Sequence, residues 1–326
     1  MSKAAELAAL IGSQTALSNR NLIINGAMQV AQRGTSTTGV TTNTYLIDRF
    51  SARTSAGSIN LSQTTTAPAG FTNSFKVEVN TTDAFSASNS EVWLNQNVEA
   101  QNLQHLQYGL STAQKITLSF WVRSNTTGTY GVWFYQEDSG KDYSTSYTIN
   151  SANTWEKKSV VITGNTADII NNDNGVGFYV RWYLDGGSDR RGSVTESWNT
   201  TSSTSTKVPT GAPAWMNGSN DWYLTGVQLE LGEQATPFEH RSYGEELARC
   251  ERYFETGRSK LYCSVAMTGM TLYVPHRTTK RANPTVTVIS GSHSPTTIEQ
   301  ASVEGIKAYR NTGNEISYEY TADAEL

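Results

Sequence analysis

Cysteine, histidine and proline are scarce: the 326 residues hold 2, 4 and 7 of them. Cys250 and Cys263 cannot supply a disulfide framework or a cysteine-rich zinc site. His105, His240, His276 and His293 are too scattered to form a local metal motif. Charged residues reach only 17 % and hydrophobic residues 37 %, both below the usual globular share. No apolar run is long enough to cross a bilayer, and the opening MSKAAELAALIGSQ lacks the apolar core of a signal peptide. The expectation is synthesis in a cytoplasm, no signal-directed export and no membrane insertion. A net charge of −4 gives no global attraction to nucleic acid, and the local cluster Arg277-Thr-Thr-Lys280-Arg281 reads as solvated surface. The nucleophile elbow, the zinc helix, the C-x-x-C pair and the phosphate loop are all missing.

In their place stand Thr, Ser, Asn, 26 glycines and 10 % aromatics. A disordered chain would be poor in aromatics and rich in charge, whereas β-branched and aromatic residues suit pleated surfaces and Gly and Asn suit tight turns. Alternating segments recur from residue 22 to about 230. In KITLSFWVRS, Ile116, Leu118, Phe120 and Val122 share one face and Thr117, Ser119 and Trp121 the other, the signature of an antiparallel strand with one buried side. Strand after strand without helices between them predicts a mainly β protein, an antiparallel jelly-roll β-sandwich.

Three segments depart from that pattern. Residues 3–11 place Ala4, Leu7, Ala8 and Ile11 on one helical face, a short helix that must pack on something; Leu7 and Ile11 are its assembly candidates. A closing helix is expected near 242–255, with Leu247, Cys250 and Phe254 buried and Cys250 an inert small hydrophobe. Beyond it, five alternating runs (KLYCSVAM, MTLYVPH, NPTVTVIS, GIKAYRN and EISYEYTA) make a small C-terminal β element. The layout is a helix and linker over 1–18, a jelly roll over 19–255 and a small β domain over 256–326.

Carboxylates that could serve hydrolysis, Glu137 with Asp138 and Asp142, and Asp185 with Asp189, sit among turn residues. Asp168 and Asp173 depart from the spacing of a calcium loop and read as an ordinary turn. No cofactor is implied. The polar stretch 185–220 is long for a loop without structure, so it is either functional or mobile, and it carries Trp198 and Trp215.

NRNLIINGAMQVAQRGTS at 19–36, YLIDRF at 45–50, LTGVQLELGEQATPFEHR at 224–241 and EELARCERYFE at 245–255 occur in that order. Together they resemble the jelly-roll domain of bacteriophage tail-fibre and other virion-surface proteins, a domain similar to carbohydrate-binding modules. The resemblance implies that 227–255 closes a domain and performs no chemistry. It implies a non-enzymatic virion structural protein, a tail fibre or similar appendage that presents a host-receptor or glycan-binding β domain. Such a protein is assembled in the bacterial host cytoplasm and released by lysis. A head decoration or tail connector is the alternative; a polysaccharide depolymerase would need a long β-helical repeat that the chain lacks. Implied partners are other tail or capsid proteins, a host cell-surface glycan, and two further copies in a homotrimer. Sugar recognition combines an aromatic platform with polar groups; Trp198 and Trp215 are the first candidates, and Tyr143 and Trp133 follow.

Overall fold

The computed structural model of the chain describes residues 19–202 and 204–326. The helix expected over 3–11, with Leu7 and Ile11, lies outside the described residues. The rest divides into two compact units, 19–29 with 34–241 and 30–33 with 242–326.

The strands of the first unit are β1 (Ser36–Val40), β2 (Thr44–Tyr45), β3 (Phe50–Thr54), β4 (Ser58–Thr64), β5 (Ser74–Thr81), β6 (Glu91–Glu99), β7 (Ile116–Ser124) and β8 (Gly128–Gln136). They continue as β9 (Lys141–Ile149), β10 (Glu156–Ile162), β11 (Val176–Gly186), β12 (Arg191–Gly192), β13 (Asn199–Thr200), β14 (Val208–Pro209) and β15 (Asp221–Leu231). A six-stranded sheet runs β1-β4-β5-β15-β7-β10 and a seven-stranded sheet β13-β9-β8-β11-β6-β3-β2. Both are antiparallel. From β5 onward the chain passes repeatedly between the sheets, as in a jelly roll. Ile116, Leu118, Phe120 and Val122 all point inward, each 0 % exposed. The core lies between the sheets: Phe120 of β7 meets Trp182 of β11 edge-on at 5.7 Å and Tyr147 of β9 at 5.0 Å.

The closing motif ties the entry of the chain to β15. Leu22 N–H donates to Leu229 O at 2.8 Å and Val227 N–H to Gly26 O at 2.9 Å, so the entry segment lies along β15 as an irregular ribbon and not as a strand. A Cβ on Gly26 would stand 2.1 Å from Val227 O; only glycine permits that approach. Asn21 Oδ1 accepts from the amides of Ile23 and Leu229. Glu239 accepts from the amides of Asn19 and Asn21, and Arg241 donates to the carbonyls of Asn21 and Ile23. Glu230 binds the amide and hydroxyl of Thr236. Val227 and Leu229 are buried, but Leu231 is 47 % exposed, being the last residue of β15 before the Gly232 turn.

In the second unit a helix, Tyr243–Glu251, is capped by Ser242 Oγ, which accepts from Glu245 N–H. It stops short of 255 because the chain enters β16 (Phe254–Pro275). The boundary therefore falls after Arg241, and the helix belongs to this unit and not to the sandwich: Glu251 pairs with Arg277, and Tyr253 O accepts from Ala324 N–H. Cys250 is fully buried. β16 pairs along its length with β19 (Gly305–Asp323), whose other edge takes β17 (Thr285–His293) and β18 (Thr297–Ala301). The first two expected runs thus fuse into one strand with an irregularity between Tyr262 and Met267, and the last two fuse likewise. Arg277-Thr-Thr-Lys280-Arg281 is not merely solvated. Lys280 is buried against Glu255 at 2.8 Å, and Arg281 donates to the carbonyls of Ala324 and Glu325. No helix among the described residues is long and apolar enough to cross a membrane.

Candidate functional site

The four aromatic residues singled out from the sequence scatter. Trp215 is 0 % exposed inside the sandwich core, so its ring can present no face to a ligand. Tyr143 points into the same core from β9. Trp198 is half-buried and lids the edge of that core: it stacks on Phe178 (5.8 Å, 13°), and its Nε1 donates to Thr163 O at 2.7 Å. Tyr143 is turned inward by the alternation of β9, and the two loop tryptophans pack on the core because a polar loop that crosses a sandwich covers its large apolar side chains. Only Trp133 lies on the side of the seven-stranded sheet opposite the core.

That outer face carries an aromatic and polar array set by strand register. One ladder runs Ser51, Asn95, Arg181, Trp133, Ser144 across β3-β6-β11-β8-β9. Its neighbour runs Asn97, Tyr179, Tyr135, Asp142, and on the other side stand Arg53, Trp93, Tyr183 and Gly131. Residues two apart along a strand share a face, so Trp93, Asn95 and Asn97, or Tyr179, Arg181 and Tyr183, project together. Trp133 and Tyr135 stack in parallel at 5.2 Å and 6°, and Tyr135 lies 5.7 Å from Tyr179. Trp133 and Trp93 are nearly covered, whereas Tyr135 and Tyr179 are half-exposed. Trp133 is therefore the support and the two tyrosines the open platform.

Polar groups fix the array. Trp133 Nε1 donates to Asp142 Oδ2 at 3.0 Å and Trp93 Nε1 to Glu91 Oε1 at 3.2 Å. The guanidinium of Arg181 lies 4.4 Å from the Trp93 ring and 4.9 Å from that of Tyr179, and its Nε donates to Asn95 Oδ1 at 3.2 Å. Part of the 185–220 loop crosses the face at Gly131, where a Cβ would stand 1.9 Å from Lys207 O. Lys207 then sits with Nζ 4.8 Å from the Trp133 ring and 3.9 Å from Glu91 Oε2, which Arg190 also approaches at 3.4 Å. Burial pushes the Lys207 ammonium down to about 8; Glu91 opposes that, and Arg190 and Arg181 add to it.

Of the carboxylates considered for hydrolysis, Glu137 is exposed at the end of the array and Asp142 lies within it, while the others are held by neighbours. Asp138 accepts from the amide and side chain of Asn171, Asp189 from Ser88 Oγ, and Asp185 pairs with Arg191 and accepts from Met216 N–H at 2.9 Å. Asp173 accepts from Gly175 N–H and Asp168 from Asn165 Nδ2, as turn residues do. Two clefts of about 340 Å³ each lie away from the platform. One is lined by Leu103, Tyr108, Leu110 and Ile170 with two glutamines; the other is centred on the closed Asp185–Arg191 pair. Neither joins an open aromatic ring to an unpaired charge.

The outer face was missed in the sequence because GVWFYQE and GFYVRWYL carry aromatics at consecutive positions. Both faces of β8 and β11 are apolar, so alternation does not say which ring points outward. The available signal was the two-residue spacing of Trp133 with Tyr135, and of Tyr179 with Arg181 and Tyr183.

No family model matches the chain, and no curated protein sequence matches it. Among solved structures it is similar to the enzymatically active domain of tailspike protein 4 of bacteriophage CBA120, at 14 % identity and TM-score 0.34. That match covers 65 % of this chain, which spans 22 % of the tailspike chain's length. It is similar to a putative sugar binding protein from Bacteroides thetaiotaomicron, at 12 % identity and TM-score 0.37, over 65 % of this chain and 100 % of that one. A family 11 carbohydrate-binding module from Clostridium thermocellum, in complex with a mixed-linked tetrasaccharide, matches at 8 % identity and TM-score 0.31, over 64 % and 99 % of the two chains.

Proposed function

We propose that this chain is a non-enzymatic structural protein of a bacteriophage virion, a tail fibre or similar appendage, whose seven-stranded sheet binds a host cell-surface glycan. The observation that carries the glycan reading is the half-exposed pair Tyr135 and Tyr179, braced by Trp133 and flanked by Arg181, Asn95 and Asn97. The C–H face of a sugar ring stacks on such rings, and a few convergent polar groups fix its orientation. The virion setting is supported by the resemblance of the 19–36, 45–50 and 224–255 motifs, and with it come assembly in the host cytoplasm, release by lysis and a homotrimer.

The test is an array of bacterial surface glycans probed with the whole chain and with Tyr135→Ala/Tyr179→Ala. Binding by the wild type and its loss in a folded double variant are expected. No bound glycan, or binding unchanged by the double substitution, overturns the reading. Release of reducing ends from a bound polysaccharide would overturn its non-enzymatic part.

A second reading, a head decoration or tail connector, is favoured by one observation. Tyr262, Val265, Met267 and Tyr273 of β16 are 45–67 % exposed, and such apolar side chains along one strand suit another protein surface. Binding to particles lacking this protein, with no glycan bound, would favour it.

A further inference from the structure

We infer that the ligand of the outer face is an acidic saccharide, one whose carboxylate is held between Arg181 and Arg53 while its ring stacks on Tyr135 and Tyr179. The inference rests on the glycan-face reading above and adds the charge class.

It starts from an imbalance of pairing. Several buried and half-buried cations of the protein pair with carboxylates: Arg191 with Asp185, Lys280 with Glu255, Arg33 with Asp323. On the outer face Arg181 and Arg53 do not. Arg181 has Asn95 and aromatic rings for company and no carboxylate partner among the described residues. Arg53, one ladder away and directly opposite Trp93, is half-buried with no hydrogen bond or ion pair among the described residues. Arg190 and Lys207 share the single carboxylate of Glu91.

The acids that face this group are few. Glu91 is shared between two cations, Asp142 is tied to Trp133 Nε1, Glu99 at the end of β6 accepts from Gln101 Nε2, and the exposed Glu137 acts on Tyr135 and Tyr179 from their end of the array. Arg191 and Asp185 cancel each other at the end of β11. Arg53 and Arg181 thus stand on the face without a carboxylate partner among the described residues, within a chain whose net charge is −4. A guanidinium matches a planar carboxylate with two parallel hydrogen bonds, and aromatic walls strengthen the pairing by excluding water. The depressed ammonium of Lys207 agrees: an anion placed nearby restores its proton.

Calorimetry on the full chain tests this with tetragalacturonate, its methyl ester and a neutral galactan tetrasaccharide, beside sialic acid and alginate oligomers and a sulfated galactan fragment. At least one carboxylated oligomer should bind ~30-fold or more tighter than its uncharged counterpart, and more weakly as salt rises. Arg181→Gln and Arg53→Gln should each remove most of that preference. Arg53 has no partner to lose, so its variant folds even where Arg181→Gln does not. At pH 8.5 binding should take up protons, read as a difference in heat between two buffers, and Lys207→Met should abolish the uptake.

Equal affinity for acid and ester, or tighter binding of the sulfated fragment, overturns the inference. If Tyr135→Ala abolishes the equal binding, the glycan face itself still stands. No binding of any acidic oligomer while neutral ones bind also overturns the inference alone. Binding of neither class, with Tyr135→Ala without effect on the array, overturns both.

Discussion

Glu255→Gln should unravel the second unit at neutral pH and do so less as the pH rises. Glu255 is 1 % exposed, and its Oε1 receives His276 Nδ1 at 2.7 Å and Tyr320 Oη at 3.2 Å. Its Oε2 receives Lys280 Nζ at 2.8 Å and Arg277 N–H at 3.2 Å. Burial works against the charged carboxylate, yet the hydrogen bonds from His276 and Lys280 hold its pKa at about 2. Breaking a buried pair by removing one partner costs about 3–5 kcal/mol, because the other charge remains uncompensated.

A ceiling follows from the partner. Burial already lowers Lys280 from 10.5, so the variant can always escape by losing that proton. At pH 7 the escape costs at most about 5 kcal/mol, and the figure shrinks by about 1.4 kcal/mol for each pH unit above that. The acid limb has the opposite sense. A depressed carboxylate stabilises above its unfolded pKa, so the wild type loses about 3 kcal/mol as pH falls from about 4.5 towards 2, and the variant lacks that loss.

The two units can be followed separately. All eight tryptophans lie in the sandwich unit, so their fluorescence reports on it alone, while amide exchange along β19 reports on the other. Denaturant titrations of wild type and variant at pH 7 and 9 give the numbers. A loss below about 1 kcal/mol at pH 7, or an equal loss at both pH values, would refute the reasoning.

Three further outcomes are expected. Trp198→Ala should cost about 2 kcal/mol through the lost stack on Phe178 and the lost bond to Thr163 O, while leaving glycan affinity unchanged; a fall in affinity at equal stability would return Trp198 to the site. Gly131→Val should push the Lys207 backbone off the outer face, since its Cβ has only 1.9 Å of room. Faster proteolysis within residues 193–206 and a loss of about 1–3 kcal/mol in unfolding titrations would show it. Glu239→Ala should free the amides of Asn19 and Asn21, costing about 2 kcal/mol; amide exchange of Asn21 should quicken before that of Leu118, and unchanged protection would count against the role given to the closing motif.

Much of the architecture was legible from local rules. A period of two placed Ile116, Leu118, Phe120 and Val122 inward, because a pleated strand offers only two faces and one must leave water. The helical period placed Cys250 on the apolar stripe, and it is fully buried. The run 227–255 reads from the sequence as one closure; in the structure its first part, to Arg241, stays with the sandwich, where Glu239 and Arg241 bind the backbone of residues more than two hundred positions earlier, and the rest lies in the second unit. That pairing is absent from any local pattern. The same blindness split strands after residue 254, where β16 runs through its irregularity only because β19 lies beside it.

The outer face was decided by tertiary structure alone. Composition announced aromatics and polar groups, yet it could not say that Trp215 and Tyr143 fill the core while Tyr135 and Tyr179 stay open. Which ring is buried depends on which sheet lies across from it, and which cation stays unpaired depends on strands that meet far apart in sequence. The sequence determined that this chain would build a two-sided β surface, because alternation and turn chemistry are local. Only the pairing of β3, β6, β11, β8 and β9 brought Arg53, Trp93, Arg181, Trp133 and Tyr135 onto one face, because register is fixed by contacts that no single segment contains.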